Sequence, residues 1–289
     1  MTQLVSALTS GLSAGCIYAV IALGFTFAYK AGGALNFAQS ALMVLAGYIC
    51  VSKLSFGHPV VGLIAACLVC AVVSGLGYYF GLRRFVGKDP ITVTIITMGA
   101  SFIVAAVVDL IWHASIENFA LPGSTITWKL VGTAHITALA VGIIVITPLV
   151  FAAIMIFMKY TRVGVQLRAS ADSPSLAMRS GINVVWLYSL AWAISGFAAG
   201  LSGGFVGATE SVSASLGDIG LAAFPAAVLG GFGSIPGALI GGIALGIADR
   251  LAVYYISPTA ADVTSYAIML VVLAVRPTGF LGEKRLVRA

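Results

Sequence analysis

Few residues in this sequence combine a reactive type with a spacing that chemistry could use. Cys67 and Cys70 form a CxxC pair, the spacing of redox dithiols and of half a zinc site. They sit in PVVGLIAACLVCAVVSG, with no second Cys or His pair nearby, and read as small apolar helix residues. Cys16 and Cys50 also lie in or beside apolar stretches, so no disulfide framework is implied. His58, His113 and His135 fall near the ends of apolar segments without metal-ligand spacing. Neither a metal site nor a catalytic triad is expected. The nearest approach to a phosphate loop, residues 81–89, ends Gly87-Lys88-Asp89; its spacing is wrong and no Ser or Thr follows the lysine. The chain is therefore expected to hold no nucleotide or other cofactor of its own.

Carboxylates are equally sparse. Asp109 stands about a turn before the end of an apolar segment, and Asp249 and Arg250 are adjacent about two turns before the end of another. Glu210, Asp218 and Asp262 are expected in loops. No mid-segment pair suggests a proton relay, which argues against a proton-coupled carrier. Snorkelling or a local ion pair accounts for Asp249 and Arg250.

The elements that hold these residues follow from composition. Of 289 residues, 60% are hydrophobic and 8% charged, whereas soluble domains carry about 25% charged residues. With a mean hydropathy of +1.09, only a bilayer can solvate so much apolar surface. The net charge of +6 lies in short loops, not along one groove-sized face, so a nucleic-acid partner is not expected and membrane lipid is. No Lys or Arg precedes Lys30, so the first apolar stretch reads as a retained span and not a cleaved leader.

A span needs about 20 apolar residues. Such stretches occur at 4–29, 35–51 (short), 59–80, 91–112, 134–158 and 184–208, then a Gly-rich stretch at 221–256 and a last span at 260–275. The Gly-rich stretch is too long for one crossing and reads as two elements, either two short crossings or one crossing plus a re-entrant piece. The expected fold is all-α, a single polytopic membrane domain over 1–289 with about eight spans. Basic residues cluster at Arg83, Arg84 and Lys88, at Lys159 to Arg179, and at Arg276, Lys284, Arg285 and Arg288, which the positive-inside rule assigns to the cytoplasm. Lys30 then faces in and the N-terminus out. The 115–132 segment falls outside, either as a connecting loop with an interfacial edge or as a surface for an external partner.

Glycines recur four apart at Gly11/Gly15, Gly77/Gly81, Gly196/Gly200/Gly204, Gly237/Gly241 and Gly242/Gly246. That spacing lines one helix face and lets backbones approach closely. Pro225, Gly230, Gly231, Gly233, Pro236 and Gly237 mark a broken helix, whose freed backbone must be buried or line a cavity. Asn36 and Gln39 open the short second span. They either line a polar route with Pro225, Gly230, Gly231 and Pro236, or cap the helix and bridge its neighbours. Residues 159–183 form the one conspicuous polar loop. Asp172 or Ser173 caps a short helix, Pro174 fits its first turn and Gly181 its stop. A helix so held is either a lever or a solvated connector.

GLSAGCIYAVIALGFTFAY, LNFAQSALMVLAGY, RASADSPSLAMRSGIN, LAAFPAAVLGGFGSIPGALIGGIALGIAD and VRPTGFLG together resemble the LivH-type permease subunits of ABC importers for branched-chain amino acids, in the hydrophobic amino-acid uptake group. The similarity covers nearly the whole chain. It implies an ABC importer permease fold in a bacterial cytoplasmic membrane. Gly164, Arg168, Ala169, Asp172, Pro174, Ala177, Gly181 and Ile182 fall where that family keeps its cytoplasmic coupling loop. The resemblance also implies ATPase subunits that bind ATP and Mg, a second permease subunit (a LivM-like paralogue or a second copy) and an extracytoplasmic substrate-binding protein. Two departures stand out: Gln39-Ser40 replaces a usual His-Gly pair, and Arg250 replaces a small or apolar residue. The group also moves urea, short amides and aromatic acids. Readings from other classes are a stand-alone ion-coupled carrier or channel and a non-transporting scaffold.

Overall fold

The structure, a computed structural model, describes residues 2–86, 89–113, 115–129, 135–257 and 260–282. The protein is a helical bundle. Its helices are α1 (Thr2–Lys30), α2 (Ala38–Val51), α3 (Pro59–Gly77), α4 (Pro90–Trp112), α5 (Ala138–Tyr160), α6 (Arg162–Asp172), α7 (Pro174–Arg179), α8 (Val184–Thr209), α9 (Leu216–Ala222), α10 (Phe224–Gly230), α11 (Ile235–Tyr255) and α12 (Ala260–Val275). A two-stranded antiparallel ribbon, β1 (Thr127–Lys129) with β2 (His135–Thr137), precedes α5. Among the described residues, six helices are long and apolar enough to cross a membrane: α1, α3, α4, α5, α8 and α11. The shorter α2, the α9–α10 pair and α12 complete the bundle.

Helix starts follow local chemistry. Asp89, Thr137, Thr161, Ser173, Asn183 and Ser234 each accept a backbone N–H of the helix that follows. Prolines occupy the first turn of α3, α4, α7, α10 and α11, where the missing N–H costs nothing.

Contacts sort the connections onto two ends. Lys30 Nζ donates to the Gly233 carbonyl at 3.2 Å. Tyr78, just after α3, meets Tyr188 of α8 edge-on and Trp192 of α8 at a tilt. Phe280 N–H reaches the Leu229 carbonyl. Lys30, Arg83 and Arg84, the α6–α7 loop and Arg276 thus share one end, the loop end. At the other, the ribbon end, Tyr48 hydrogen-bonds the Ser115 carbonyl, and Glu117 pairs with Val212. Lys88, Lys284, Arg285 and Arg288 lie outside the described residues, as does the expected start of the fifth span at 134.

The structure corrects several sequence boundaries. The 221–256 stretch is two elements, but the first begins earlier, at Leu216, and breaks at Ala223 before Pro225. Asp218 therefore lies in α9, and Asp262 in the first turn of α12, neither in a loop. Arg83 and Arg84 do not begin a loop: α3 continues through a π turn to Leu82 and a 3-10 turn to Phe85. The ribbon was not anticipated, because three-residue strands carry no usable period.

α1 is the axis of the bundle. Of its apolar window, 89% is buried, against 17% for α4 and 22% for α5. Peripheral helices leave Phe102, Leu110, Leu149 and Ile156 exposed to apolar surroundings. α1 meets α11 backbone to backbone: a methyl on Gly15 would lie 2.7 Å from the Ile243 Cα, and one on Gly246 would strike the Gly15 backbone. Gly200 sits the same way on Cys67 of α3, its methyl 2.5 Å from the Cα, and Gly196 on Cys70. Gly77 and Gly81 face nothing within 4 Å, so among the described residues their four-residue spacing packs no helix. Replacing Gly246 with Leu is expected to abolish the monodisperse detergent-solubilised protein in size-exclusion chromatography, whereas Gly77→Ala leaves the profile unchanged.

Candidate functional site

Three regions singled out by sequence converge on breaks in helices. The first is the segment 31–37. Ala31 and Gly33 N–H still reach the Phe27 and Tyr29 carbonyls; from Ala34 to Phe37 the chain leaves the helical pattern. Leu35 N–H donates to Thr94 Oγ1 at 3.3 Å and Phe37 N–H to Thr97 Oγ1 at 3.1 Å. The Thr97 hydroxyl also lies 3.2 Å from the Leu35 carbonyl and 2.7 Å from that of Thr94. Its single proton serves one of these at a time. Two α4 threonines thus replace the ladder that the segment lacks. α2 spans roughly 21 Å at 1.5 Å per residue, short of the roughly 30 Å of a hydrocarbon core.

Asn36 and Gln39 are fully buried. Asn36 Oδ1 accepts Ala38 N–H at 3.2 Å, and its amide approaches Ser195 Oγ at 3.5 Å. Ser195 in turn donates to Gln39 Oε1 at 2.9 Å. Gln39 Nε2 is buried without an acceptor and rests on the bare Cα of Gly24. The cluster ties α1, α2 and α8 together at mid-depth.

The second region is the Gly/Pro break. Pro225 is buried in the first turn of α10, and Gly230 is buried against the Gly237 backbone. Gly231, at φ +91°, makes the turn and packs on Gly282; Pro236 is exposed in the first turn of α11. The last carbonyls of α10, on Leu229 and Gly230, accept N–H groups of Phe280 and Leu281 at 2.7 and 3.1 Å. The C-terminal segment therefore closes the break. Phe25, Phe37, Phe224, Phe232 and Tyr29 join in edge and stacked contacts across α1, the 31–37 segment, α10 and the turn after it.

The third is the polar loop. It is two helices, α6 and α7, at a sharp corner. Gly164 lets α6 turn off closely against the end of α5, since a methyl there would lie 2.6 Å from the Met158 Cα. Ser173, not Asp172, caps α7; Asp172 ends α6. Gly181, at φ +77°, ends α7, with Ile182 N–H on the Ala177 carbonyl and Gly181 N–H on that of Met178, a paired closure that needs a left-handed residue. The loop is anchored by buried Leu167 and Ala177 and by Tyr188 OH to the Ser170 carbonyl at 2.8 Å. Arg168, Ala169 and Asp172 are exposed, beside exposed Val165, Leu176 and Met178. Pro174 is half-buried in the first turn of α7.

A family model described as "Branched-chain amino acid transport system / permease component" matches residues 7–273. The chain belongs to this family. The LivH permease protein of the high-affinity branched-chain amino acid transport system of Escherichia coli K12 is 33% identical over 95% of this chain and 94% of its own. The BraD permease protein of Pseudomonas aeruginosa is 29% identical over 96% of this chain and 95% of its own. The ribose import permease protein RbsC of Haemophilus influenzae is 24% identical over 93% of this chain and 84% of its own. The chain is thus a polytopic membrane transport subunit, as its permease relatives are.

Sequence reasoning missed a cavity of about 330 Å³ at the ribbon end. Its polar wall includes Thr9, Ser13, Tyr18, His135, Glu210 and Arg250; Ile17 and Ile219 are among its apolar lining. The lining comes from α1, β2, α5, α8, α9, α11 and the residue that ends α8, so no contiguous motif could announce it. The unexpected Arg250 was the one available signal. Asp249 beside it turns inward, 3% exposed, and accepts Ser265 Oγ at 2.6 Å, fixing α12 on α11.

If Thr97 carries the 31–37 backbone, Thr97→Val should destabilise the protein by about 1–3 kcal/mol, read as a lowered thermal midpoint in detergent, and Thr97→Ser should not.

Proposed function

We propose that this chain is the permease subunit of an ATP-driven importer for branched-chain or other hydrophobic amino acids. It forms the pathway with a second permease subunit in the cytoplasmic membrane, with the loop end inside. ATP and Mg are bound by separate ATPase subunits, and an extracytoplasmic binding protein delivers substrate to the ribbon end. The observation that carries this reading is family membership across residues 7–273, joined to an anchored α6–α7 corner with an exposed apolar and basic outer face. Leu176 and Met178 are 61% and 51% exposed, a poor arrangement for a solvated connector and a good one for docking.

The mechanism follows from how that corner is tied in. Closure of the ATPase pair moves α6–α7 as one body. Leu167, Ser170 and Ala177 pass the displacement to α8, and α8 runs to the ribbon end beside α1 and α3. The Ser195–Gln39 link and Gly196 and Gly200 transmit it to α2 and α3. Lipid-facing helices need not follow. The broken segments at 31–37 and 223–234 are where α1, α2, α10 and α11 can shift relative to one another. The coupling residues Arg168, Ala169, Asp172 and Pro174 carry force and no chemistry; Gly164 and Gly181 set its direction.

Gly181→Pro cannot adopt φ +77°, and it also removes an N–H that closes α7. Asp172→Lys reverses a charge between the end of α6 and the start of α7, where opposing helix-end fields leave helix stability little changed. In proteoliposomes holding the complete importer, both variants are expected to insert and to retain ATP hydrolysis while losing at least tenfold in uptake. Normal uptake by both contradicts the docking role.

A further inference from the structure

The ribbon-end cavity has a charge pattern that transport by passage between helices does not by itself require. Glu210 ends α8 and is exposed; Arg250 projects from α11 and is half-buried; both line the same cavity. Among the described residues, neither is joined to the other or to any third group by an ion pair or side-chain hydrogen bond. One cavity therefore presents one carboxylate and one guanidinium, each available. The C-terminus of α8 adds partial negative charge beside Glu210, which favours a cation there. A guanidinium offers a planar pair of donors matched to a carboxylate. The hydroxyls of Thr9, Ser13 and Thr209 and the His135 ring line the same cavity, as do the apolar Ile17 and Ile219. At about 330 Å³ the cavity falls at the small end of small-molecule sites, which run about 300–1,000 Å³.

We infer that this cavity binds a zwitterionic α-amino acid, its ammonium on Glu210, its carboxylate on Arg250 and its aliphatic side chain against Ile17 and Ile219. The inference rests on the permease reading above and gives that permease a receiving site inside one subunit. Glu210 is exposed and Arg250 only half-buried, so the site holds its ligand weakly and releases it readily, as a site of passage must. The aromatic cluster of Phe25 and Phe224 lies toward the loop end on the same two walls, eight residues beyond Ile17 on α1 and five beyond Ile219 on the α9–α10 arm.

The test uses the full chain alone in lipid nanodiscs, without a binding protein, so that loss of docking cannot imitate loss of the site. Binding of labelled L-leucine is measured with competition by L-leucinamide, which lacks the carboxylate, and by 4-methylpentanoate, which lacks the ammonium. Saturable L-leucine binding is expected. Arg250→Gln should weaken L-leucine at least tenfold and leave L-leucinamide unchanged. Glu210→Gln should weaken L-leucine at least tenfold and leave 4-methylpentanoate unchanged. Absence of saturable binding, wild-type affinity in both variants, or equal loss for all three compounds overturns the site. Any of these leaves the permease reading intact, because ATP-dependent uptake by the assembled importer is a separate measurement.

Discussion

Lipid neither donates nor accepts hydrogen bonds, so every break in a membrane helix must find partners inside the protein. Two of the breaks among the described residues, at 31–37 and at the end of α10, are solved differently. At 31–37 the orphaned backbone is carried by the Thr94 and Thr97 side chains of α4, with Asn36 closing the start of α2. At the end of α10 the orphaned carbonyls are carried by the backbone of the C-terminal segment. The rest of the architecture depends on these two repairs. Without the first, α2 has no route to mid-depth. Without the second, the turn at Gly231 would leave buried acceptors unpaired, and α10 could not lie against α11.

Close backbone contact supplies the cohesion that water-driven burial cannot give between lipid-exposed helices. Glycines on α1 and α11 face one another, as do those on α8 and the cysteine stretch of α3. Cys67 and Cys70 are thereby explained as packing surface for Gly196 and Gly200. The same geometry makes α8 a continuous link. It is tied to the α6–α7 corner by Tyr188, to α2 by Ser195, and its end forms part of the ribbon-end cavity. A displacement at one end has a rigid route to the other.

Much of this was legible from local signals. Apolar runs gave the spans, because length and composition suffice in a bilayer. The Ser173, Pro174 and Gly181 signals gave α7, because capping depends on neighbours in sequence. What stayed hidden depends on residues far apart in the chain. Asn36, Gln39 and Ser195 meet only because α2 and α8 pack, and no spacing announces that meeting. The cavity draws on six elements for the same reason. Glycine spacing misled at Gly77 and Gly81, since the pattern states that a face is smooth, not that something covers it. Asp218, expected in a loop, sits in the first turn of α9, where an acidic side chain suits the helix field.

The central claim is that this chain moves an amino acid only as part of an ATP-driven assembly. The direct measurement is uptake of labelled L-leucine into proteoliposomes that contain the chain with its ATPase, second permease and binding protein, with ATP supplied on the ATPase side and no ion gradient imposed. The account predicts uptake that requires ATP and stops when the ATPase is omitted. Uptake by this chain alone, driven by an ion gradient without ATP, would contradict it.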